Sequence, residues 1–459
     1  MTAWDAPIDC GPAAEDGAHF DVIVVGGGPG GSATAGFLSQ AGHNVLLVEK
    51  GVWPRDKTCG DAVGGKSLSH VEMLGVKATL EATPHFRVDG ILFSSPNGKE
   101  VLVPLPEEEV ESREAGYALP REQFDTLLFR NTAELVKGAG GIVMQDFTVT
   151  EVLREGEARL TGVAGFVGGK RSGNPELKFT ADLVVGAGGY NCPVAREIVA
   201  LHDEPMVDKA HYCGGYREYW TGVKPPEGVS WDGDQGPIEL HFIDEILPGY
   251  FWIFPLANGV ANVGIGMVLT EMDQQSVKLR PLQNYAITEH PKFKERFADA
   301  KMVEGTAKGW QLPFGSPRDK PPSFQPRRVA MAGAACVGDA ASLVDPFSGE
   351  GVGNALLSGK MVSDIFGERK AAHPGGGAEL WDTTTSDTYH HTLWSTLEAE
   401  LTNSLKLQRL VKKKRIMNFF ISKAAKKPEL QRALTDMIAS KEAQGQFHSK
   451  WWMIKTLLF

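Results

Sequence analysis

Three glycines near the start of the chain have the spacing of a phosphate-binding turn. Gly26, Gly28 and Gly31 form the pattern G-x-G-x-x-G, with Pro29 and Gly30 between the last two. In such a turn the first glycine permits a tight bend, the second lets the backbone approach a pyrophosphate, and the third lets a helix pack closely on a strand. The free N–H groups at the start of that helix face the phosphates. The spacing therefore predicts a dinucleotide site.

The segments on either side of this turn are those needed to position it. Residues 20–25 are a β-branched apolar run typical of a buried parallel strand, residues 32–41 are small and apolar and predict a helix, and residues 44–49 predict a second strand. The second strand ends in Glu49, followed by Lys50, about 20 residues past the glycines, where an acid hydrogen-bonds an adenosine ribose. Together these segments predict a Rossmann-type domain. A glycine-rich turn without a ligand is the weaker alternative.

A second glycine-rich segment, residues 337–356, resembles the second flavin fingerprint of the p-hydroxybenzoate-hydroxylase-like superfamily. The resemblance implies that the dinucleotide is FAD, that the Gly-Asp pair contacts its ribityl and pyrophosphate portion, and that the next helix begins beside the isoalloxazine ring. A helix beginning near Gly349 points its positive end at the flavin and stabilises the anionic reduced ring. The alternative role for Asp339 is a helix N-cap. An earlier R-x-x-F-D-x-x-L pattern at 121–128 adds its first residue, Arg121, to the expected cofactor contacts. The contacts expected from both segments are Arg121, Gly338, Asp339, Pro346, Gly349, Gly351 and Val352.

The electron donor is left open by the sequence. Residues 183–192 resemble a third fingerprint of the same superfamily, but Gly188 stands where an aspartate is usual. In many relatives that region touches a passing NAD(P)H, so the substitution weakens the argument for direct reduction by NADPH. Reduced ferredoxin is the other candidate donor and partner. Cys192, in this segment, is expected to be a packed small residue.

Three motifs resemble the geranylgeranyl reductase family, the digeranylgeranylglycerophospholipid reductase-like branch of this superfamily. They are the P-x-x-K-x-C-G segment at 54–60, the Y-x-W-x-F-P segment at 250–255, and the G-D-A-A-x-x-V-D-P-F-x-G-E-G segment at 338–351. The resemblance covers roughly residues 21–364. It implies reduction of carbon–carbon double bonds in isoprenoid chains of diphosphates, archaeal lipids, chlorophyll or menaquinone. It also places Cys59, Gly60 and Asp61 beside the flavin, with Cys59 and Gly60 as the catalytic candidates.

The Y-x-W-x-F-P segment predicts an apolar wall. In a strand, alternate side chains share a face, so Tyr250, Trp252 and Phe254 would lie together, followed by Pro255. Facing a cavity, they would bind prenyl units. The alternative is a core strand buried on both sides.

Bulk composition sets the remaining expectations. The chain has 459 residues and a net charge of −10, which argues against a nucleic-acid partner. Its five cysteines show no metal-ligand or disulfide spacing, so a reduced, cytoplasmic protein without a metal site is expected. The fold class is α/β, with a Rossmann-type FAD-binding domain at 19–85, 115–205 and 305–370. An antiparallel-sheet substrate domain occupies 86–114 and 206–304, residues 1–18 form a mobile tail, and 371–459 form a C-terminal helical region.

The C-terminal region combines cations with apolar residues. Nine lysines and arginines lie within residues 406–427, interleaved with apolar side chains, and residues 451–459 are largely apolar. This pattern predicts contact with an anionic membrane surface or with the diphosphate head group of a substrate. The equal alternative is a helical cap on the core.

Two other functions are compatible with the motifs. One is a flavin-dependent monooxygenase or halogenase on the same scaffold, although Lys66 lacks the halogenase context. The other is a flavin-bound protein with a structural or electron-relay role.

Overall fold

The structure is a computed structural model that describes residues 4–111, 115–318, 326–427 and 430–431. Its strands are, in chain order, β1 (His19–Val25), β2 (Val45–Val48), β3 (Ala62–Val63), β4 (Phe86–Ser94), β5 (Glu100–Pro104), β6 (Tyr117–Ala118), β7 (Ile142–Met144), β8 (Phe147–Glu155), β9 (Arg159–Val167), β10 (Leu177–Gly186), β11 (Tyr212–Thr221), β12 (Gln235–His241), β13 (Tyr250–Pro255), β14 (Val260–Val268), β15 (Lys301–Met302), β16 (Lys308–Pro313), β17 (Ala330–Met331) and β18 (Ala334–Cys336). Its helices are α1 (Pro29–Gln40), α2 (Gly65–Met73), α3 (Lys77–Glu81), α4 (Glu107–Glu111), α5 (Arg121–Gly138), α6 (Pro193–Leu201), α7 (Leu269–Gln275), α8 (Leu279–Thr288), α9 (Val352–Ala372), α10 (Thr383–Val411) and α11 (Lys414–Ala424).

The first sheet has the order β17-β18-β10-β1-β2-β7 and carries β9 and β8 on β10. Its centre is parallel: β1 pairs with β2 and β10, and β10 pairs with β18. The side chains of β1 and β2 are buried because helices cover the parallel sheet, which explains their apolar, β-branched sequences. α1 packs against α5 and α9 on one face. The Rossmann-type domain and the α/β class predicted from the sequence are confirmed.

The second sheet is built mainly of antiparallel strands in the order β15-β11-β14-β13-β12-β4-β6-β3, with β16 on β11 and β5 on β4. One face, including Phe251, Ile253 and Val263, packs against α8. The other face lies against the first domain and packs against α11. β3, β6 and β16 belong to this sheet although their residues fall in the ranges assigned to the FAD-binding domain. Two of them are two-residue strands, too short to show an alternating pattern.

The C-terminal helices connect the two domains. α10 begins in the core of the first domain, where Tyr389 and Leu393 are buried, and its end reaches the second sheet at Val411. α11 buries Met417, Ile421 and Ala424 against the same sheet. The predicted C-terminal helical region is confirmed for its described residues, whose apolar side chains largely face the protein, as in a cap.

The nine lysines and arginines of residues 406–427 are exposed or half-buried, on the outer side of this cap. Lys412 pairs with Glu271 at 2.7 Å, and Lys414 pairs with Asp244. Within the described part of the chain, no helix is both long and apolar enough to cross a bilayer. Peripheral membrane contact stays a prediction, and residues 451–459 lie outside the described residues.

The described part of the N-terminal segment lies against the first domain rather than free of it. Arg130 of α5 donates to the carbonyls of Trp4, Ala6 and Pro7, and Ile8 is buried. The expectation of a mobile tail rested on polar and Pro/Gly-rich composition. That composition also suits an extended segment whose carbonyls are satisfied by an arginine.

Candidate active site

A cavity of about 640 Å³ lies between the glycine turn after β1 and the inner face of the second sheet. Its walls come from both domains and from α10, which contributes Glu400 and Gln408. Most of the residues predicted as sites line it: Gly26, Gly28, Pro29, Gly30, Glu49, Lys50, Cys59, Gly60, Arg121, Tyr250, Trp252, Phe254, Gly338, Asp339, Pro346, Gly349, Gly351 and Val352.

Three predicted site residues are not among the residues lining this cavity. Gly31 lies where α1 packs on the end of β1, and a Cβ there would come within 1.8 Å of the Gly26 carbonyl oxygen. Asp61 is buried behind the wall. Pro255, the last residue of β13, is also buried. Their positions point to packing and support of the cavity rather than direct contact with its contents.

The glycine turn forms an open cradle at Gly28. Gly26 has a φ of +111°, and a Cβ there would approach the Ala187 carbonyl to 2.5 Å, so only glycine fits. Gly28 is the N-cap of α1, and the nearest atom to a Cβ there is Arg55 Nη2 at 3.7 Å. The N–H groups of the first turn of α1 therefore face free space, as a phosphate requires.

The side chain of Glu49 is held at the turn by backbone N–H groups. Its Oε2 accepts from the Gly27 N–H at 2.7 Å and its Oε1 from the Gly51 N–H at 2.8 Å. Arg55 reaches the same carboxylate at 3.3 Å. Each carboxylate oxygen can accept more than one hydrogen bond, so Glu49 can still receive ribose hydroxyls. Its placement at the cavity wall is compatible with the predicted ribose contact.

Asp339 faces the cavity from the 3-10 turn Gly338–Ala341 and receives Lys57 Nζ at 2.8 Å. It is not the N-cap of that turn or of α9, whose N-cap is Gly351. Lys57 was not predicted as a site residue, because its partner lies 282 positions away. This ion pair joins the P-x-x-K-x-C-G segment to the second flavin motif.

Cys59 lies between an arginine and an amide. Its thiol is within hydrogen-bonding reach of the Arg121 guanidinium, which also binds Asp125 through two bonds of 2.7 and 2.8 Å. These partners raise the pKa of Arg121, so it stays charged despite burial. The Cys59 carbonyl accepts from Asn262 Nδ2 at 2.7 Å. A cation therefore lies beside the thiol.

Asp61 is the centre of a buried hydrogen-bond network behind Cys59. It accepts from the Arg121 backbone N–H, the Tyr219 hydroxyl and Asn262 Nδ2, at 3.1, 2.7 and 2.8 Å. Burial raises the pKa of Asp61 to about 6, although the nearby Arg217 opposes the shift. Its φ of +67° is uncommon for a residue other than glycine, and the network holds it there. The sequence shows no local signal for this network, because its members come from segments far apart in the chain.

The aromatic strand alternates as expected. Tyr250, Trp252 and Phe254 face the cavity, whereas Phe251 and Ile253 face the opposite core. Trp252 Nε1 donates to Asn262 Oδ1 at 2.8 Å, and its ring lies over Gly264, where a Cβ would come within 2.1 Å. Apolar side chains of strands β4 and β12, and of the residue after β5, extend the wall: Val88, Ile91, Leu105, Ile238 and Leu240. The cavity therefore has one polar, glycine-rich end and one apolar side.

The fold and the comparisons define the class of protein. A model described as FAD binding domain matches residues 19–210. The structure of a geranylgeranyl bacteriochlorophyll reductase-like protein from Thermoplasma acidophilum is similar, with a TM-score of 0.71 at 20% identity, over 94% of this chain and 98% of that one. A flavin-dependent brominase, Bmp2, is similar in fold, with a TM-score of 0.68 at 18% identity, over 95% of this chain and 99% of that one. The chain is thus an FAD-binding oxidoreductase, and its glycine cradle fits the cofactor.

The sequence relatives narrow this class. A model described as Geranylgeranyl reductase catalytic domain matches residues 227–306. Digeranylgeranylglycerophospholipid reductase 2 of Methanopyrus kandleri is 30% identical over 76% of this chain and 77% of its own length. Menaquinone reductase of Mycobacterium tuberculosis is 28% identical over 80% of each chain. The chain belongs to the geranylgeranyl reductase family, flavin-dependent reductases that act on carbon–carbon double bonds.

Proposed function

We propose that this chain saturates double bonds in the isoprenoid chain of a lipid or a prenyl diphosphate. The supporting observation is the cavity itself, where the aromatic face of β13 and the aliphatic side chains of β4 and β12 meet the glycine-rich end expected to hold FAD. An apolar wall binds a prenyl chain by burial, without needing polar groups on the substrate. The names of the two reductase relatives, which act on an isoprenoid lipid quinone and on a glycerophospholipid, support the same class of substrate.

Reduced FAD, when bound, supplies the hydride for such a reaction. The chain supplies the surroundings of the reacting carbons. Tyr250 is held by its hydroxyl, which donates to the Ser348 carbonyl at 2.6 Å, and Trp252 is held by Asn262. Both rings are thus fixed along the wall. Gly60 lies against the Phe254 ring, where a Cβ would come within 2.6 Å, so Cys59 is kept close to the aromatic wall.

The function is tested by product mass. The FAD-loaded, reduced protein is incubated without oxygen with geranylgeranyl diphosphate, a geranylgeranylated glycerophospholipid and a menaquinone, and products are analysed by mass spectrometry. We expect at least one of them to gain hydrogens in steps of two. In a parallel incubation with oxygen, oxygen consumption with hydroxylation or halogenation of a substrate would instead identify the monooxygenase or halogenase alternative. Retention of FAD with no product from any compound would contradict the proposal.

We propose that the Cys59 thiol takes part in the alkene step as a proton donor or by placing a water. Cys59→Ser keeps the size of the side chain and changes its acidity. We expect normal reduction of the flavin by dithionite and slower reoxidation by the prenyl substrate, measured by stopped-flow absorbance. Cys10→Ser removes a thiol beside Gln145, outside the cavity, and serves as the control. Equal reoxidation rates for both variants and the unaltered protein would make Cys59 a packing residue.

The physiological donor is proposed to be NAD(P)H or reduced ferredoxin. An anaerobic assay distinguishes them: the protein is mixed with each donor in turn, and the donor that bleaches the flavin absorbance is the one that reduces it. Dithionite reports whether the flavin is reducible at all.

A further inference from the structure

A carboxylate caps the helix that is expected to face the flavin. α9 begins at Val352, and Gly351, Val352 and Ala355 of its first turn line the cavity. Glu350, also in the wall, accepts from the Gly353 N–H through Oε1 at 2.6 Å. Its Oε2 is buried and has no hydrogen-bond partner among the described residues. A carboxyl group therefore occupies the positive end of α9.

One lysine and two further carboxyl groups surround this carboxyl group. Lys66 is the nearby cation, but its ammonium is bound to Glu400 of α10 and to Asn354 Oδ1. Asp345 adds another buried carboxyl, which accepts from the backbone N–H groups of Phe347 and Ser348. The carboxyl groups of Glu350, Glu400 and Asp345 thus lie around Lys66, and Asp339, paired with Lys57, also lies near Gly351. The sequence predicts a helix beginning near Gly349 whose positive end stabilises the anionic reduced flavin, and the structure shows that a carboxyl group caps this helix N-terminus.

We propose that Glu350 lowers the reduction potential of the bound FAD by occupying the N-terminus of α9. A negative charge beside the site disfavours the additional negative charge of the reduced ring, which makes the reduced cofactor a stronger donor. This role suits an alkene without an activating group, which is difficult to reduce. Glu350 acts through the electrostatics of the site and is a tuning residue. The proposal rests on the proposed function only in placing FAD beside α9.

Glu350→Gln tests this role while preserving the shape of the cap. The glutamine carbonyl can still accept from the Gly353 N–H, so the substitution removes mainly the charge. The midpoint potential of the bound FAD is measured by equilibration with reference dyes, without any prenyl substrate. We expect the potential to rise by at least about 30 mV, which corresponds to a tenfold change in the equilibrium constant of a two-electron couple.

A matched control lies at the other end of the same helix. Glu368→Gln removes the same charge roughly 24 Å further along α9, given the rise per residue of an α-helix. That distance exceeds the screening length of about 10 Å at 0.1 M salt, so this variant should keep the unaltered potential. Glu350→Ala is the second variant if Glu350→Gln retains too little FAD, and it should shift the potential in the same direction.

The dependence on pH adds a second readout. Burial raises the pKa of Glu350, and Lys66 opposes this shift, whereas Glu400 and Asp345 reinforce it. A carboxyl with a raised pKa becomes neutral as the pH falls, so the difference in potential between the unaltered protein and Glu350→Gln should shrink at low pH. An unchanged or lowered potential in Glu350→Gln, or an equal rise in Glu368→Gln, would overturn the proposal. Failure of the prenyl assay alone would contradict only the proposed function, because the potential is measured without substrate.

Discussion

The Gly28→Trp protein is expected to fold and to purify without FAD. Gly28 has ordinary backbone angles for any residue, with φ of −69° and ψ of −177°, so a side chain causes no backbone strain. Its Cβ would point past the Arg55 guanidinium into the cavity at the N-terminus of α1. An indole there fills the space into which the FAD pyrophosphate must fit. The ratio of flavin absorbance to protein absorbance should fall to background.

Gly138→Trp provides the matched control. Gly138 is the last residue of α5, and no heavy atom lies within 4 Å of a Cβ built there. The same substitution at this position should retain stoichiometric FAD. Circular dichroism shows whether both variants are folded. Stoichiometric FAD in a folded Gly28→Trp protein would show that the nucleotide binds elsewhere.

The nucleotide side of the site was predictable because its signal is local. The glycine turn, the first strand and the acid at the end of the second strand lie within 31 consecutive residues, 19–49, and each obeys a backbone rule. β1 and β2 lie within a residue of their predicted positions, and α1 begins earlier, at Pro29. Proline suits the first position of a helix, because its missing N–H needs no partner there.

The support of Cys59 could not be predicted in the same way. Asp61, Tyr219 and Asn262 meet only because β11 and β14 pair in the second sheet and cover the segment after Cys59. Asn262 lies 203 positions from the carbonyl that it binds. Helix and strand periodicity reports only neighbours close in sequence, so it cannot predict a contact between residues so far apart. The role of Glu350 was equally hard to predict, since the glycine motif around it gives no indication that its side chain accepts from the Gly353 N–H.

The contribution of α10 to the cavity is the largest departure from the sequence-based picture. The composition of this region suggested either an external partner or a cap on the core, but neither expectation placed it in the site, whereas Glu400 and Gln408 line the cavity and Gln408 donates to the Pro346 carbonyl at 3.0 Å. The helical region therefore helps to close the site. A membrane contact, if tested, must involve its outer side.

Trp252→Ala should impair the reduction of long prenyl chains while leaving the FAD content intact. The indole is part of the apolar wall, and it is clamped between Gly264 behind it and Asn262 at its edge. Its removal leaves a void along the wall, so a long chain loses contact and its double bonds are no longer held in one position. Misplacement of about 1 Å can reduce a rate on the order of 100-fold. The expected result is a fall of that order in kcat/KM for a geranylgeranyl chain and a smaller fall for a shorter prenyl chain.

Two further variants separate the apolar wall from other roles of Trp252. Trp252→Phe keeps an aromatic ring but loses the hydrogen bond to Asn262, and it should retain most of the chain-length preference. Phe251→Ala lies on the same strand but faces the opposite core, so it should lower the thermal stability, since large-to-small core substitutions of Phe cost about 3–5 kcal/mol. Its relative rates for long and short chains should not change. If Trp252→Ala lowers stability and FAD content together and treats long and short chains alike, the indole is a core residue, because a residue that guides the substrate must affect the longer chain more.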